Sequence, residues 1–262
     1  MPISERVAPK RTIIYPDSDG KPMADNTQQY RWIVTLVSGL EALFADDPAV
    51  FVAGDLLWYP VEGDNKTRIA PDALVAFGRP KGDRGSYKQW EEGGIAPQVV
   101  FEVLSPGNTK REMANKLVFY DRYGVEEYYL YDPDRGRLQG WQRQGNQLIK
   151  IAPMRGWTSP RLGVRFDLDG LDLCVTGPDG RRFVTVLEVR QQADQEAQAR
   201  RAAEQRAARE VQARREAEQR VAMEAQRAMQ EAQRAAQAEQ RAAAAEAELV
   251  RLRALLQQQG NG

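Results

Sequence analysis

The chain has 262 residues, a formal net charge of zero, one cysteine and no histidine. Its length suits one domain of moderate size plus an extension. Without imidazole there is no Ser-His-Asp triad, no Cys-His pair and no His-bearing zinc site, and the lone Cys174 excludes an internal disulfide and any multi-cysteine metal centre. Chemistry must then rest on carboxylates, Lys, Arg, Tyr or Ser, alone or around a metal held by oxygen. No apolar run reaches membrane-spanning length and the N-terminus lacks a signal-peptide core, so a soluble cytoplasmic protein with no membrane partner is expected. The 37 basic and 37 acidic residues are spread without a strongly basic half. Any nucleic-acid contact must therefore come from a local patch.

Three regions are expected: an N-terminal arm over 1–24, a globular domain over 25–184, and a long helix over 185–258. Asp25 can cap a helix over Thr27–Phe44, where Trp32, Ile33, Leu36, Val37, Leu40 and Leu43 fall at helical spacing. Strand-like runs follow at Val50–Tyr59, Ile69–Phe77 and Gln98–Leu104. Asn108 or Thr109 then caps a helix to about Tyr123, which Gly124 stops. Glu126–Asp132 reads as the next strand. Arg137–Arg143, Gln147–Ile151 and Gly163–Leu168 read as hairpin material, and Arg181–Leu187 as a last strand or the entry to the long helix. The order predicts an α/β (α+β) fold with a mixed central sheet flanked by helices. Beyond Val189 the chain has no Pro, aromatic or Lys, and Ala, Arg, Glu and Gln dominate. All four favour helix without help from packing. Gln recurs at every seventh position from Gln191 to Gln240. A heptad held this long favours a left-handed coiled coil, and with it a homo-oligomer, a dimer foremost. The seam two residues after each Gln is mostly Ala, with Arg200 and Arg214 inside it, and strengthens only at Leu249, Leu252, Leu255 and Leu256. A lone solvated helix is the alternative.

Two carboxylates stand out because each sits in an otherwise apolar run, where an uncompensated acid is costly to bury. Asp72 follows Pro71 and precedes Ala73–Phe77; Glu102 lies between Val99-Val100-Phe101 and Val103-Leu104. On neighbouring strands, with Lys116 one helix downstream, they would make an oxygen-rich site for a hard divalent cation. The plainer readings are a turn residue for Asp72, an edge strand for Glu102, and a Glu112–Lys116 surface pair at i, i+4. Asp55 is a further candidate acid, or a buried and satisfied strand residue. The long connection 78–96 carries Arg79, Lys81, Arg84 and Lys88 with Tyr87 and Trp90, a mixture suited to phosphate contact and base stacking. Asp83, Glu91 and Glu92 dilute its charge, and a solvated loop fits as well.

The segments Ala70-Pro71-Asp72, Phe101-Glu102-Val103-Leu104-Ser105-Pro106, Asn115-Lys116 and Tyr123-Gly124-Val125-Glu126-Glu127-Tyr128-Tyr129-Leu130-Tyr131-Asp132 occur in that order. Together they resemble the PD-(D/E)XK superfamily with its restriction-endonuclease-like fold. More closely they resemble the bacterial Uma-two family of endonucleases, over residues 25 to 135. The resemblance implies Asp72 and Glu102 as ligands of Mg²⁺ or Mn²⁺, DNA as substrate, and a lysine assisting phosphodiester hydrolysis. The superfamily lysine two residues after the glutamate is Leu104 here, so the resemblance passes that role to Lys116. A non-catalytic member of the same fold, acting as a nucleic-acid-binding or scaffold protein, is the alternative.

Overall fold

In the computed structural model residues 13–259 are described, so the first half of the expected N-terminal arm lies outside the described residues. The chain divides after Arg190 into two compact units.

The first unit is built on a six-stranded sheet in the order β1-β3-β5-β6-β7-β8. These strands are β1 (Val50–Ala53), β3 (Ala73–Phe77), β5 (Val99–Val103), β6 (Glu127–Asp132), β7 (Arg137–Gln144) and β8 (Gln147–Lys150). Only β5 and β6 pair in parallel; every other pair is antiparallel, so the sheet is mixed as expected. The parallel step needs a crossover, which α2 (Lys110–Arg122) supplies. Strand β5 lies between β3 and β6, not at an edge. Both its faces are therefore covered, which is why it reads as a nearly continuous apolar run.

Helix α1 (Thr27–Leu43) covers one face. Its Ile33, Leu36 and Leu40 pack with Val99, Phe101, Val103, Tyr129 and Tyr131. Helix α2 covers the other, setting Met113 and Tyr120 against Leu74, Val100, Tyr128 and Leu130. The period-two alternation of β5 thus sends Phe101 to one helix and Val100 to the other.

The structure corrects several expected boundaries. Asn26, not Asp25, caps α1, its side chain accepting from Gln29 N at 2.8 Å. The run Val50–Tyr59 is two strands, β1 and β2 (Trp58–Tyr59), because Gly54 and Asp55 break it. Asp55 adopts φ 49°, the left-handed region that Asp tolerates better than most residues. A Cβ at Gly54 would stand 2.9 Å from Val37 Cγ2 and 3.3 Å from the Asp72 carbonyl oxygen, so the break also needs a glycine. Residues Ile69–Asp72 are not part of β3, although Ile69 bridges Trp58. The connection 78–96 contains β4 (Tyr87–Lys88), parallel to β2. Strands β9 (Trp157–Thr158), β10 (Arg165–Asp169) and β11 (Asp172–Thr176) form a separate three-stranded sheet, of which only β10 was expected.

Residues Arg181–Thr185 form no strand. Thr185 instead caps α3 (Val186–Gln259) in a reciprocal box: Glu188 N donates to Thr185 Oγ1 at 3.2 Å, and Thr185 N donates to Glu188 Oε2 at 2.7 Å. Every side chain from Leu187 to Leu252 is exposed in the single chain. The side chains of Leu255 and Leu256 lie outside the described residues. Among the described residues no helix is long and apolar enough to cross a membrane.

Candidate active site

Strands β3 and β5 bring the two selected carboxylates together. Their antiparallel register sets Ala73 opposite Phe101. Continued by one residue, it sets Asp72 opposite Glu102. Directly opposed residues in an antiparallel pair share a face, and here it is the α2 face. Asp72 Oδ2 accepts from Val103 N at 2.6 Å, which ties the Pro71-Asp72 segment to the end of β5. Asp72 is 8% exposed and Glu102 only 2%.

Helix α2 closes the arrangement over Glu102. Lys116 Nζ donates to Glu102 Oε2 at 2.6 Å, and the Tyr120 hydroxyl donates to Oε1. The two donors come from one helical face at i, i+4. The alternative Glu112–Lys116 surface pair does not form; Lys116 turns inward to the sheet. Leu104, just past the end of β5, packs with the apolar cluster beneath α2 and brings no charge to the site.

Electrostatics follow from burial. Burial first, and the Glu102 charge second, hold the Asp72 carboxyl well above the usual range, against the pull of the Val103 amide and Lys116. Burial also raises Glu102, opposed by Lys116 and Tyr120. For Lys116 burial is again the largest influence and acts to lower it, but Glu102 and Asp72 outweigh it and the ammonium is held above its ordinary value. Asp55 is raised by burial and then by Asp19, with Lys116 opposing.

A cleft of about 910 Å³ opens onto these groups, and Asp55, Asp72, Glu102 and Lys116 all line it. Its far lining includes Asp19, Lys21 and Asp25 from the segment before α1. Asp25 accepts from Ser105 Oγ, and Gln29 Nε2 reaches the Val103 carbonyl at 2.9 Å. The turn after β5 is thereby fastened to the start of α1.

The donor set is all oxygen, suited to a hard divalent cation. A carboxylate has about four lone-pair sites, so Glu102 keeps acceptor capacity beyond its two bonds, and the only hydrogen bond to Asp72 among the described residues is on Oδ2. Among the described residues no three acidic, Cys or His side chains form a ready-made metal cage. That suits an ion held by one or two carboxylates together with water and substrate phosphate better than one held by protein alone. Burial first and the Glu102 charge second raise the Asp72 carboxyl, and a cation between the two acids would relieve both.

The structure does not bring the cations of the 78–96 connection to this cleft. Arg79 Nε and Arg84 Nε bind Glu92 at 3.0 and 2.6 Å, Lys81 donates to the carbonyls of Phe44 and Ala45, and Lys88 pairs with Glu91 at 3.3 Å. Arg84 also stacks over Phe51, 3.8 Å from the ring centre. Lys81 and Arg84 thus fasten the connection to the domain, and the pairs with Glu91 and Glu92 close it on itself. Tyr120 received no role from sequence; its i+4 spacing from Lys116, facing a strand glutamate, was the available signal.

A family model described as "Uma2: Putative restriction endonuclease" matches residues 14–170. None of the curated proteins matches the chain. Among solved structures, a putative nuclease belonging to DUF820 from Anabaena variabilis aligns with 18% identity and a TM-score of 0.42, covering 55% of this chain and 77% of that one.

Proposed function

Since the chain belongs to the Uma2 family of putative restriction endonucleases, we propose that it is a divalent-metal-dependent nuclease that hydrolyses phosphodiester bonds of DNA. The observation that carries this reading is the meeting of Asp72, Glu102 and Lys116 in one cleft, with Lys116 seated on Glu102. Asp72 and Glu102 would hold Mg²⁺ or Mn²⁺, and Asp55 would add negative charge to the wall of the same cleft. Such a cation, when bound, supplies a water of lowered pKa and polarises the phosphoryl oxygens.

The protein's own groups do the rest. Lys116 keeps its proton and sets a fixed positive charge at the cleft wall, where negative charge on the reacting phosphate is stabilised. Tyr120 fixes the Glu102 carboxylate from the side opposite Lys116, so both its oxygens are oriented before any substrate arrives. The nuclease role belongs to residues 25–184. Residues 185–258 would pair two chains as a coiled coil, and a two-fold dimer would offer two sites for the two strands of a duplex.

The test is cleavage of plasmid DNA with Mg²⁺ or Mn²⁺. Cleavage is expected with the wild type and abolished in Asp72→Ala and Glu102→Ala. Absence of cleavage across DNA and RNA substrates and both metals would overturn the proposal. The second reading, a nuclease-fold scaffold without activity, is favoured by Leu104 at the superfamily lysine position. Calorimetry separates the two: no binding at millimolar Mg²⁺ or Mn²⁺ favours the scaffold.

A further inference from the structure

A nuclease must hold the phosphates that flank the one it attacks, and the cations of 78–96 are already engaged with Glu91, Glu92 and backbone carbonyls. A different set borders the cleft. Lys66 and Arg68 line it from the connection between β2 and β3. A neighbouring depression along the outer side of α2 shares Arg68, Glu112 and Lys116 with the cleft and adds Arg111. The two depressions therefore run into one another, past Lys116.

Among the described residues none of Lys66, Arg68 and Arg111 forms a salt bridge, in contrast to Arg79, Arg84 and Lys88. Lys66 and Arg111 are exposed. Arg68 is held in place, its Nη1 donating to the Asn65 carbonyl at 2.8 Å. That bond orders the guanidinium without neutralising it. The turn that carries Lys66 and Arg68 is itself fastened, because Asp64 accepts from Lys66 N at 2.8 Å and from Thr67 N at 3.0 Å. Keeping two cations on an ordered turn and a third on a rigid helix beside the same cleft suits repeated phosphate, whose spacing is regular and whose charge is the same at every position.

We infer that Lys66, Arg68 and Arg111 form a track for the phosphodiester backbone of a nucleic acid, leading to the carboxylates at Asp72 and Glu102. This deepens the nuclease proposal and rests on it. Contact is to phosphate, so binding along this track is independent of base sequence and strongly dependent on salt.

The experiment is fluorescence anisotropy of a short labelled DNA duplex with the full chain, in EDTA so that nothing is cut, over a series of salt concentrations. Lys66→Ala/Arg111→Ala changes two exposed side chains and should leave the melting temperature unchanged. It is expected to weaken binding about tenfold or more and to lower the slope of log K against log salt by roughly two, close to one per phosphate contact. Lys81→Ala/Lys88→Ala should match the wild type. Equal affinity for Lys66→Ala/Arg111→Ala and wild type, or a loss confined to Lys81→Ala/Lys88→Ala, overturns the track and leaves the nuclease proposal standing. A wild type that neither binds duplex at low salt nor cleaves DNA with Mg²⁺ or Mn²⁺ overturns the nuclease proposal, and the track with it.

Discussion

Glu102 is a carboxylate 2% exposed at the middle of a sheet, and what makes it tolerable is the pair of donors that reach it from α2. Burying a charge without partners costs several kcal/mol, whereas a paired and hydrogen-bonded one can be held. Tyr120 and Tyr128 give a direct contrast. Both are fully buried. The Tyr120 hydroxyl donates to Glu102, while the Tyr128 hydroxyl has no partner among the described residues. Tyr120→Phe therefore removes a hydrogen bond to a charged group and should lower unfolding stability by about 2 kcal/mol. Tyr128→Phe removes a buried hydroxyl that nothing satisfies and should be neutral or stabilising by up to about 1 kcal/mol. Urea unfolding of the two variants measures this, and equal losses would show that the Glu102 contact is not what holds Tyr120. Tyr120→Phe should also weaken Mn²⁺ binding in calorimetry, because one oxygen of Glu102 loses its orientation.

Among the elements, the connection 78–96 departs furthest from its sequence pattern. Its basic and aromatic residues resemble a contact surface, yet Glu92, in the same connection, gathers both Arg79 and Arg84 and closes the segment on itself, while Lys81 and Arg84 hold it to the domain through the Phe44 and Ala45 carbonyls and the Phe51 ring. The Arg84 hydrogen bond, followed by the charges of Arg84 and Arg79 against an opposing effect of burial, holds the Glu92 carboxyl below its ordinary value of 4.5. A depressed carboxyl contributes stability that is complete above the unfolded value and fades as pH falls through the folded one. The stability difference between wild type and Glu92→Gln should therefore stay constant above about pH 4.5 and shrink below it. Thermal unfolding across pH measures it; a difference that persists unchanged at pH 3 would show that charge is not what holds this connection. The break at Gly54-Asp55 works at the same scale. It ends β1 and turns the chain so that Asp55 lines the cleft beside Asp72.

For the whole molecule, the question is what α3 adds. Among the described residues, the last that packs against either hydrophobic cluster of the first unit is Phe183, ahead of α3. Beyond Arg190, the side-chain hydrogen bonds of α3 among the described residues run within the helix, as in the i, i+4 pairs Arg200–Glu204 and Arg214–Glu218 at 3.1 Å. Exposed pairs of this kind contribute about 0.3–0.5 kcal/mol each, too little to hold so long a helix apart from a partner. A chain ending at Arg190 should therefore keep the melting temperature of the globular unit and sediment as a monomer, while the full chain sediments as a dimer. Sedimentation velocity of both forms measures this. A full chain that stays monomeric at high concentration would remove the coiled coil from the proposal.

Strong local signals were legible in the sequence. The apolar periodicity of α1, the nearly continuous apolar run of β5, the cap of α2 and the helix-forming composition of the tail each express a short-range rule, and each element formed close to its expected place. The histidine and cysteine counts by themselves confined the chemistry to oxygen and lysine. The Leu104 departure marked where the superfamily pattern fails. Only the tertiary structure decided which partners the charged side chains take. Lys116 could as well have paired with Glu112 on its own helix, and Arg84 could have faced solvent. Helical spacing allows several such pairings at almost equal cost, while burial beneath a sheet makes one of them far better than the others. That difference turned Lys116 towards Glu102, spent the 78–96 cations inside the fold, and left Lys66, Arg68 and Arg111 beside the cleft.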